Sequence, residues 1–528
     1  MSVTKQPGAA HEDERHDRED REERGRHDHD HDHETDERDS HVFLLHEGRA
    51  QGRKVEGGPF PPTRRHGEHE QGESRSRHVP TARTPHGLKQ PSPHARILDA
   101  DDPSADDHPD PVVFFKYDPS GQVGPKTFTN AADISGADSR RDVVLLSGNW
   151  YCDYSVDGGA TFTRTDPTTI FPPGLANGFC CDQIVTYVPS IDRFVWFMQH
   201  TKDATGGAFR VAVASTSAIV ADFTSAWTYW DFRASDFALG TDDMDYPDLS
   251  FSDTFLFLST DGLGTKGRLV ARIPLKDLAA GGTIGFQYTD PTKATTAWGA
   301  HLIQGSGDGA YWAGHKDNAT IQLFSMPDSG STYAATDVGV ATWPNGTLSS
   351  VGPNGNDWLQ KENSFPDFAV TGGTRDGNRL WLAWTASTGN DGHGGFTFPN
   401  THVRVAEIDL ASQHTVNEIQ IWNPDYAFAY PALARNARGE IGIVLGWGGA
   451  HNDADAAVGI LGDYVVWYRN GSDITTLRWG DYVTVRPAQR NEGLFAGFGY
   501  YTRTDPTNAT RCYYNPYYVL FGRQSLGG

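Results

Sequence analysis

Several carboxylates and one histidine recur at matched points of this chain, and residues of these types together could move protons or hold a hard cation. Asp182 lies in Cys181-Asp-Gln-Ile-Val-Thr-Tyr187, Asp248 in Tyr246-Pro-Asp-Leu-Ser-Phe251, and Asp367 in Phe365-Pro-Asp-Phe-Ala-Val370. Each stands at the head of a short apolar run. His301 heads another, Ala300-His-Leu-Ile303, and Tyr430 heads Tyr430-Pro-Ala-Leu-Ala434. Asp481 heads Gly480-Asp-Tyr-Val-Thr-Val485, which is followed by Arg486. Carboxylates that converge raise one another's pKa, which places a proton donor beside a base. The same oxygens could hold Ca²⁺. An imidazole titrates near neutral pH and serves as a general base. Asp182, Asp248, His301 and Asp367 are therefore the expected catalytic residues. Tyr246, Tyr430, Asp481 and Arg486 are the expected substrate contacts. Strand alternation puts Asp481, Val483 and Val485 on one face and Tyr482, Thr484 and Arg486 on the other, so Asp481 and Arg486 need not meet. Each aspartate also has a plainer use, capping nearby backbone N–H groups. His200 is a second candidate base. Asp242-Asp-Met-Asp245 is a compact acidic loop, but it lacks the central Gly and distal Glu of an EF-hand and reads as solvated.

The elements that must position these residues form a repeat. The heads fall near residues 181, 246, 300, 365, 430 and 480, at spacings of 50 to 65 residues. A second, strongly apolar run follows each head, as in Arg193-Phe-Val-Trp-Phe-Met198 and Arg379-Leu-Trp-Leu-Ala-Trp384. That period suits a four-stranded propeller blade. The first strand of a blade lines the central channel, so the heads should converge there. Asp142-Val-Val-Leu-Leu146 supplies one more blade. The expected fold is an all-β propeller of seven blades, with six as the competing count. Pro111-Val-Val-Phe-Phe-Lys116 precedes the first blade, and Tyr517-Tyr-Val-Leu-Phe521 closes the last. The N-terminal strand is expected to join the C-terminal blade, because a shared blade leaves no free sheet edge at the closure.

Ser155-Val-Asp-Gly-Gly-Ala-Thr-Phe162 matches the pattern Ser-x-Asp-x-Gly-x-Thr-Phe. Physically it is a tight hairpin. Asp157 can accept turn N–H groups, Gly158 and Gly159 can take positive φ, and Phe162 can tuck beneath as an anchor. The pattern is the Asp box, and with the blade repeat it resembles the sialidase superfamily, the BNR-repeat propellers. Gly178-Phe-Cys-Cys-Asp-Gln183 and Trp479-Gly-Asp-Tyr-Val-Thr-Val-Arg486 look like phrases of a poorly characterised bacterial branch. The resemblance covers roughly residues 111–523. It implies a glycan-processing enzyme acting at the central channel, a glycoside hydrolase or a polysaccharide lyase. The alternative is a non-catalytic propeller that binds a glycan or a protein. Asp boxes of this family sit on the outer rim, so Asp157 is expected to hold a turn rather than do chemistry.

The chain has 528 residues, a formal charge of −23, 58 Gly, 14 Trp, 20 Tyr and 27 Phe, which suits a turn-rich aromatic β protein. The acidic balance argues against a nucleic-acid partner. No run approaches the length of a membrane-spanning helix. Carbohydrate is the expected partner, the protein is expected to be a monomer, and no cofactor beyond Ca²⁺ is suggested. Residues 1–98 read as a disordered charged tail and linker, ahead of a propeller domain at 99–528. Within the tail, His27, His29, His31 and His33 alternate with carboxylates and could bind Zn²⁺ or Ni²⁺ weakly. The N-terminus shows no apolar signal core, so the expected location is cytoplasmic by default, whereas the resemblance implies an extracellular one. Four cysteines make no disulfide framework, and Cys152, Cys180, Cys181 and Cys512 are expected as reduced, buried thiols, with a strained vicinal Cys180–Cys181 disulfide as the alternative.

Overall fold

The computed structural model describes residues 40–62, 79–83, 90–102, 113–117, 133–264, 266–359, 368–390, 395–468, 471–473, 479–505 and 508–523. Seven antiparallel sheets succeed one another along the chain as the blades of a propeller. The inner strands are Ser135–Asp138, Phe179–Val188, Met244–Phe251, Gly309–Asp317, Val370–Asp376, Ala427–Arg435 and Thr484–Pro487, and they define blades 1 to 7. The expected fold and the seven-blade count are both found. In each blade the next strand pairs antiparallel with the inner one, as Phe194 with Tyr187 and Trp196 with Val185 in blade 2.

The strands are apolar because a blade is covered on both faces. Arg193–Asp203 is buried from Phe194 through His200, so it reads as a continuous apolar run instead of alternating. Trp196 and Trp230 are buried in blade 2, Trp312 in blade 4, Trp384 in blade 5 and Trp447 in blade 6. A buried Leu or Phe of such a core contributes about 1.5–3 kcal/mol. Blades 7 and 1 close tightly. A Cβ on Gly136 would meet the Phe498 ring at 2.2 Å, so only glycine lets these two sheets pack here. The ring closes as expected from the sequence: Val113–Tyr117 pairs antiparallel with the outer part of Asn508–Phe521, Tyr117 opposite Tyr518.

The expected boundary at residue 98 needs correction. His41–Leu44 pairs with the outer strand of blade 4, His46–Gln51 with that of blade 3, and Arg53–Lys54 with that of blade 2. Arg96–Asp99 adds a parallel outer strand to blade 6. These residues are too polar to build a core, and composition alone therefore read them as tail. An edge strand needs no core of its own, because backbone hydrogen bonds to a finished sheet hold it. Phe43 packs on Tyr333 at 5.1 Å and His46 stacks on Tyr288 at 5.2 Å, which adds side-chain hold. The expected disorder of residues 1–39 and the weak metal site at His27, His29, His31 and His33 lie outside the described residues.

The hairpin read from Ser155 to Phe162 is present in blade 1. Asp157 accepts from Ser155 Oγ at 2.7 Å, from Thr161 N–H at 2.8 Å and from Thr161 Oγ at 2.6 Å. Gly158 and Gly159 adopt φ +76° and +92°, and Phe162 is buried beneath them. The cysteine expectation divides. Cys152 and Cys512 are buried and outside any disulfide, whereas Cys180 and Cys181 are joined to each other. Adjacent residues on a regular strand point to opposite faces, and here the strand bulges so that both sulfurs meet.

Candidate channel site

Asp248 is the best-defined of the expected catalytic residues. It sits on the inner strand of blade 3 just after a register shift between Asp245 and Asp248. Its Oδ2 accepts the Leu302 N–H at 2.6 Å and lies 3.4 Å from His301 Nδ1. Burial alone would push this carboxyl up. A protonated His301 and the guanidinium groups of Arg486 and Arg268 outweigh burial and hold it below the usual carboxylate range. His301 precedes the inner strand of blade 4, in a segment whose backbone bonds reach blade 5: His301 N–H to Val370 C=O and Gln304 N–H to Gly373 C=O. With Nδ1 facing a carboxylate, the Nε2 of His301 is left as the acceptor end. That atom is buried and has no hydrogen-bond partner.

Arg486 enters from blade 7. Its Nη1 donates to Gln304 Oε1 at 2.5 Å and its Nη2 to the Val185 carbonyl at 3.2 Å, so it ties blade 7 to blades 4 and 2. Burial lowers its pKa, partly offset by Asp248. The expected strand over 479–486 is shorter than read. It begins at Thr484, so alternation does not govern Asp481 and Tyr482. Arg486 and Asp481 keep separate company, as expected, and Arg486 faces Asp248.

A second group surrounds Tyr482. Its ring meets His301 edge-on at 5.4 Å, which joins the two groups. Burial and then Asp182, Asp133, Asp481 and Asp245 push the phenol well above its usual range. Asp182 of blade 2 and Asp481 of blade 7 thus act electrostatically on the same phenol. Tyr482, Asp133 and Asp245 were not foreseen as site residues. Asp133 accepts from Asn149 Nδ2 at 2.9 Å and from the Asp481 N–H at 2.7 Å. A signal for it existed: Asp133 stands two residues before the inner strand of blade 1, yet the sequence reading centred that blade on the next strand.

Tyr246 and Tyr430 share an unusual backbone. Both sit at φ +54° directly before a proline, each within a register shift of its inner strand. Left-handed backbone costs a residue other than glycine about 1–3 kcal/mol, and it recurs at functional positions. The Tyr246 carbonyl accepts from Arg268 Nη1 at 2.7 Å, and its ring packs on Trp298 at 5.8 Å. The Tyr430 ring stacks on Trp479 at 5.8 Å, and its N–H is held by Thr385 Oγ1 at 3.0 Å. Both rings are buried. Asp367 lies outside the described residues.

The remaining candidates fall away from the channel. His200 is on the second strand of blade 2, its Nδ1 3.2 Å from the Met198 carbonyl, and burial and then Arg210 lower its pKa to about 3. It lines a cleft with Phe171, Pro172, Phe179 and Arg210. Asp243 of the acidic loop accepts the Met244 N–H, whereas Asp245, which accepts the Tyr246 N–H, belongs with the group around Tyr482. Among the described residues no group of three or more His, Cys, Asp or Glu is arranged to hold a metal ion. Among the described residues, likewise, no helix is long and apolar enough to cross a membrane.

No family model matches this chain. No curated protein matches it either. Solved structures are similar to this chain at a low level. The GH93 α-L-arabinofuranosidase of Fusarium graminearum with arabinobiose is similar at 11% identity and a TM-score of 0.36, covering 78% of this chain and 98% of its own. The Trypanosoma rangeli sialidase in complex with 2,3-difluorosialic acid is similar at 9% identity and a TM-score of 0.33, covering 68% of this chain and 55% of its own. A glucose dehydrogenase is similar at 10% identity and a TM-score of 0.31, covering 60% of this chain and 94% of its own. Likeness at this level concerns the fold alone, and fold does not select a chemistry.

Proposed function

We propose that this protein is a glycan-processing enzyme of the glycoside hydrolase class, acting where Asp182, Asp248, His301, Asp481 and Tyr482 meet. The observation that carries the reading is the Asp248–His301 pair beside a group of aspartates. Asp248 stays ionised and orients His301, whose Nε2 then takes a proton from water. The water oxygen attacks the anomeric carbon, the glycosidic C–O bond breaks, and the leaving oxygen takes a proton from a carboxylic acid. A carboxylic acid that keeps its proton is such a donor. Asp182 fills that role in this reading. Tyr482 does not: the charges that raise its pKa make it a poor acid, though a permanent hydrogen-bond donor. A lyase is disfavoured. It must neutralise the carboxylate of a uronic acid, and Arg486 is already engaged with Gln304 and Val185.

A second reading, a non-catalytic glycan-binding propeller, is favoured by one observation. The bonds from the Leu302 N–H to Asp248 and from Arg486 to Gln304 each cross between blades, as a ring-locking network does. The two readings separate in one experiment. Asp182→Asn, Asp248→Asn and His301→Gln are made singly, checked for fold, and assayed for binding and cleavage of a glycan panel. The enzyme reading expects cleavage to fall by two or more orders of magnitude with binding kept. Binding by the parent protein without cleavage of any bound glycan favours the module. No effect of any substitution on either property overturns both.

A further inference from the structure

We propose that the buried Asp261–Arg268 pair is a positioning device that holds Asp248 and His301 in contact; this role rests on the glycan reading above. Asp248 and His301 come from different blades, and each follows a turn of left-handed backbone. Tyr246, at φ +54°, stands two residues before Asp248, and Gly299, at φ +70°, stands two residues before His301. Neither turn is fixed by a strand ladder. Tyr246 and Pro247 fall in the register shift between Asp245 and Asp248, and Gly299 lies outside any strand.

Both turns are tied to one ion pair. Asp261 and Arg268 stand opposite each other on the second and third strands of blade 3, with both side chains fully buried and 3.3 Å between them. Arg268 donates from Nη1 to the Tyr246 carbonyl at 2.7 Å and from Nη2 to Ser259 Oγ at 2.9 Å. Asp261 accepts the Gly299 N–H on Oδ2 at 2.6 Å. The pair therefore grips a carbonyl of one turn and an N–H of the other. The onward links are short and stiff. Pro247 fixes one φ between Tyr246 and Asp248, and Ala300, between Gly299 and His301, is fully buried. The Tyr246 ring on Trp298, at 5.8 Å, is a further contact between the same two turns. Asp248 Oδ2 then meets His301 Nδ1 at 3.4 Å.

Two other blades carry an Arg–Asp pair across neighbouring strands, and they show what is particular here. Asp153–Arg164 and Arg210–Asp231 join the third and fourth strands of blades 1 and 2, toward the outside of the ring. Asp261–Arg268 lies one strand nearer the channel, where it reaches the backbone of the two turns. A fully buried ion pair gains little net stability, because desolvation offsets the attraction. What this pair adds is placement. A carboxylate at Nδ1 fixes the neutral imidazole in the tautomer that leaves Nε2 bare, and a His301 that drifts from Asp248 loses that orientation.

The test uses the full-length protein. Arg268→Lys keeps the buried charge, and so the fold, but offers one nitrogen where the guanidinium reaches Tyr246 and Ser259 with two. The double variant Asp261→Asn/Arg268→Gln removes both charges together. Arg164→Lys makes the first exchange in blade 1 and is the control. Two readouts need no substrate: the Asp248–His301 separation in crystal structures, and the low-field imidazole N–H resonance of His301 in protein carrying ¹⁵N-labelled histidine, assigned by its absence from His301→Gln. The resonance should be sharp in the parent and in Arg164→Lys and broadened or lost in both site variants, with the 3.4 Å separation opened by about 1 Å. Turnover should fall about 100-fold in the double variant with KM little changed, because misplacement costs rate more than ground-state binding. An unchanged separation and resonance in both site variants overturns the proposal. So does an equal change in Arg164→Lys, which would mean general loosening. If the parent cleaves no arabino-, xylo- or galacto-oligosaccharide and no sialyllactose, the glycan reading falls by itself. The two substrate-free readouts then decide the positioning role: a change confined to the site variants sustains it, and no change overturns it.

Discussion

Arg486 reaches across the channel to Gln304. The donor comes from blade 7 and the acceptor precedes blade 4, with 2.5 Å between Nη1 and Oε1. One side chain thereby connects blades that are not neighbours in the ring, and its charge helps keep Asp248 ionised. Replacing Arg486 by Met should be severe. It removes a nearby cation from the buried Asp248 carboxylate and the charged donor from the half-buried Gln304 Oε1. Losing a hydrogen bond from a charged group costs about 1.5–3 kcal/mol. Urea unfolding at neutral pH measures it. A loss below about 1 kcal/mol, the range of an exposed pair, would show that the crossing is incidental.

Asp157 should prove structural. Its three accepted bonds all lie within the turn from Ser155 to Thr161, and it sits in blade 1 on the hairpin that leads to the outer strand Thr163–Thr165. Asp157→Ala should lower stability by about 1 kcal/mol, because each bond is solvent-accessible and modest in net worth. Any binding or cleavage per folded molecule should be unchanged. A variant of normal stability that has lost function would contradict this placement.

The parts of this molecule that follow from apolar period were legible in the sequence. The blade count, the strand shared at the closure and the hairpin at Asp157 all follow from local pattern. The contact between Asp248 and His301 was legible too, because both stand at the heads of adjacent repeats. What failed was local geometry inside each repeat. Tyr482 was assigned by alternation to the face away from Asp481, but alternation holds only within a strand, and this one begins at Thr484. Asp133 was missed because the inner strand of blade 1, Ser135–Asp138, is short and polar. The strands at residues 41–54 were missed for a different reason. Edge pairing is written in the partner sheet, and their own composition resembles a linker.

Those edge strands should matter for stability. Residues 41–54 supply outer strands to blades 4, 3 and 2 in turn. Removing residues 1–54 uncovers the outer strands of three blades and removes Phe43 from Tyr333 and His46 from Tyr288. The melting temperature should fall by several degrees, since each lost backbone bond is worth about 0.5–1.5 kcal/mol. Removing residues 1–39 alone should change it little, because that charged composition cannot contribute a core. Calorimetry of the two truncations decides. Equal melting temperatures would mean that the edge strands add nothing.

Asp138 should make stability depend on pH in the direction opposite to an ordinary salt-bridged carboxylate. It ends the inner strand of blade 1, where its Oδ2 accepts the Gln489 N–H at 3.0 Å and its Oδ1 is buried with no hydrogen-bond partner. Burial raises its pKa from 3.8 to about 7, against the opposing pull of that bond and of Arg490. The folded protein therefore holds this proton more tightly than the unfolded chain does. Between pH 4 and 7 the native state binds more protons, so this group's contribution falls as pH rises through that window. It is fully present below pH 4 and lost above pH 7, a span of about 4 kcal/mol at most, at 1.36 kcal/mol per unit. Other buried carboxyls titrate as well, including Asp455 and Glu418. The quantity to measure is thus the difference between the parent protein and Asp138→Asn, by urea unfolding at several pH values. The variant should gain stability relative to the parent from pH 4 to 7 and run parallel to it above. A difference that stays constant across the whole range would show that Asp138 titrates alike in the folded and unfolded chains.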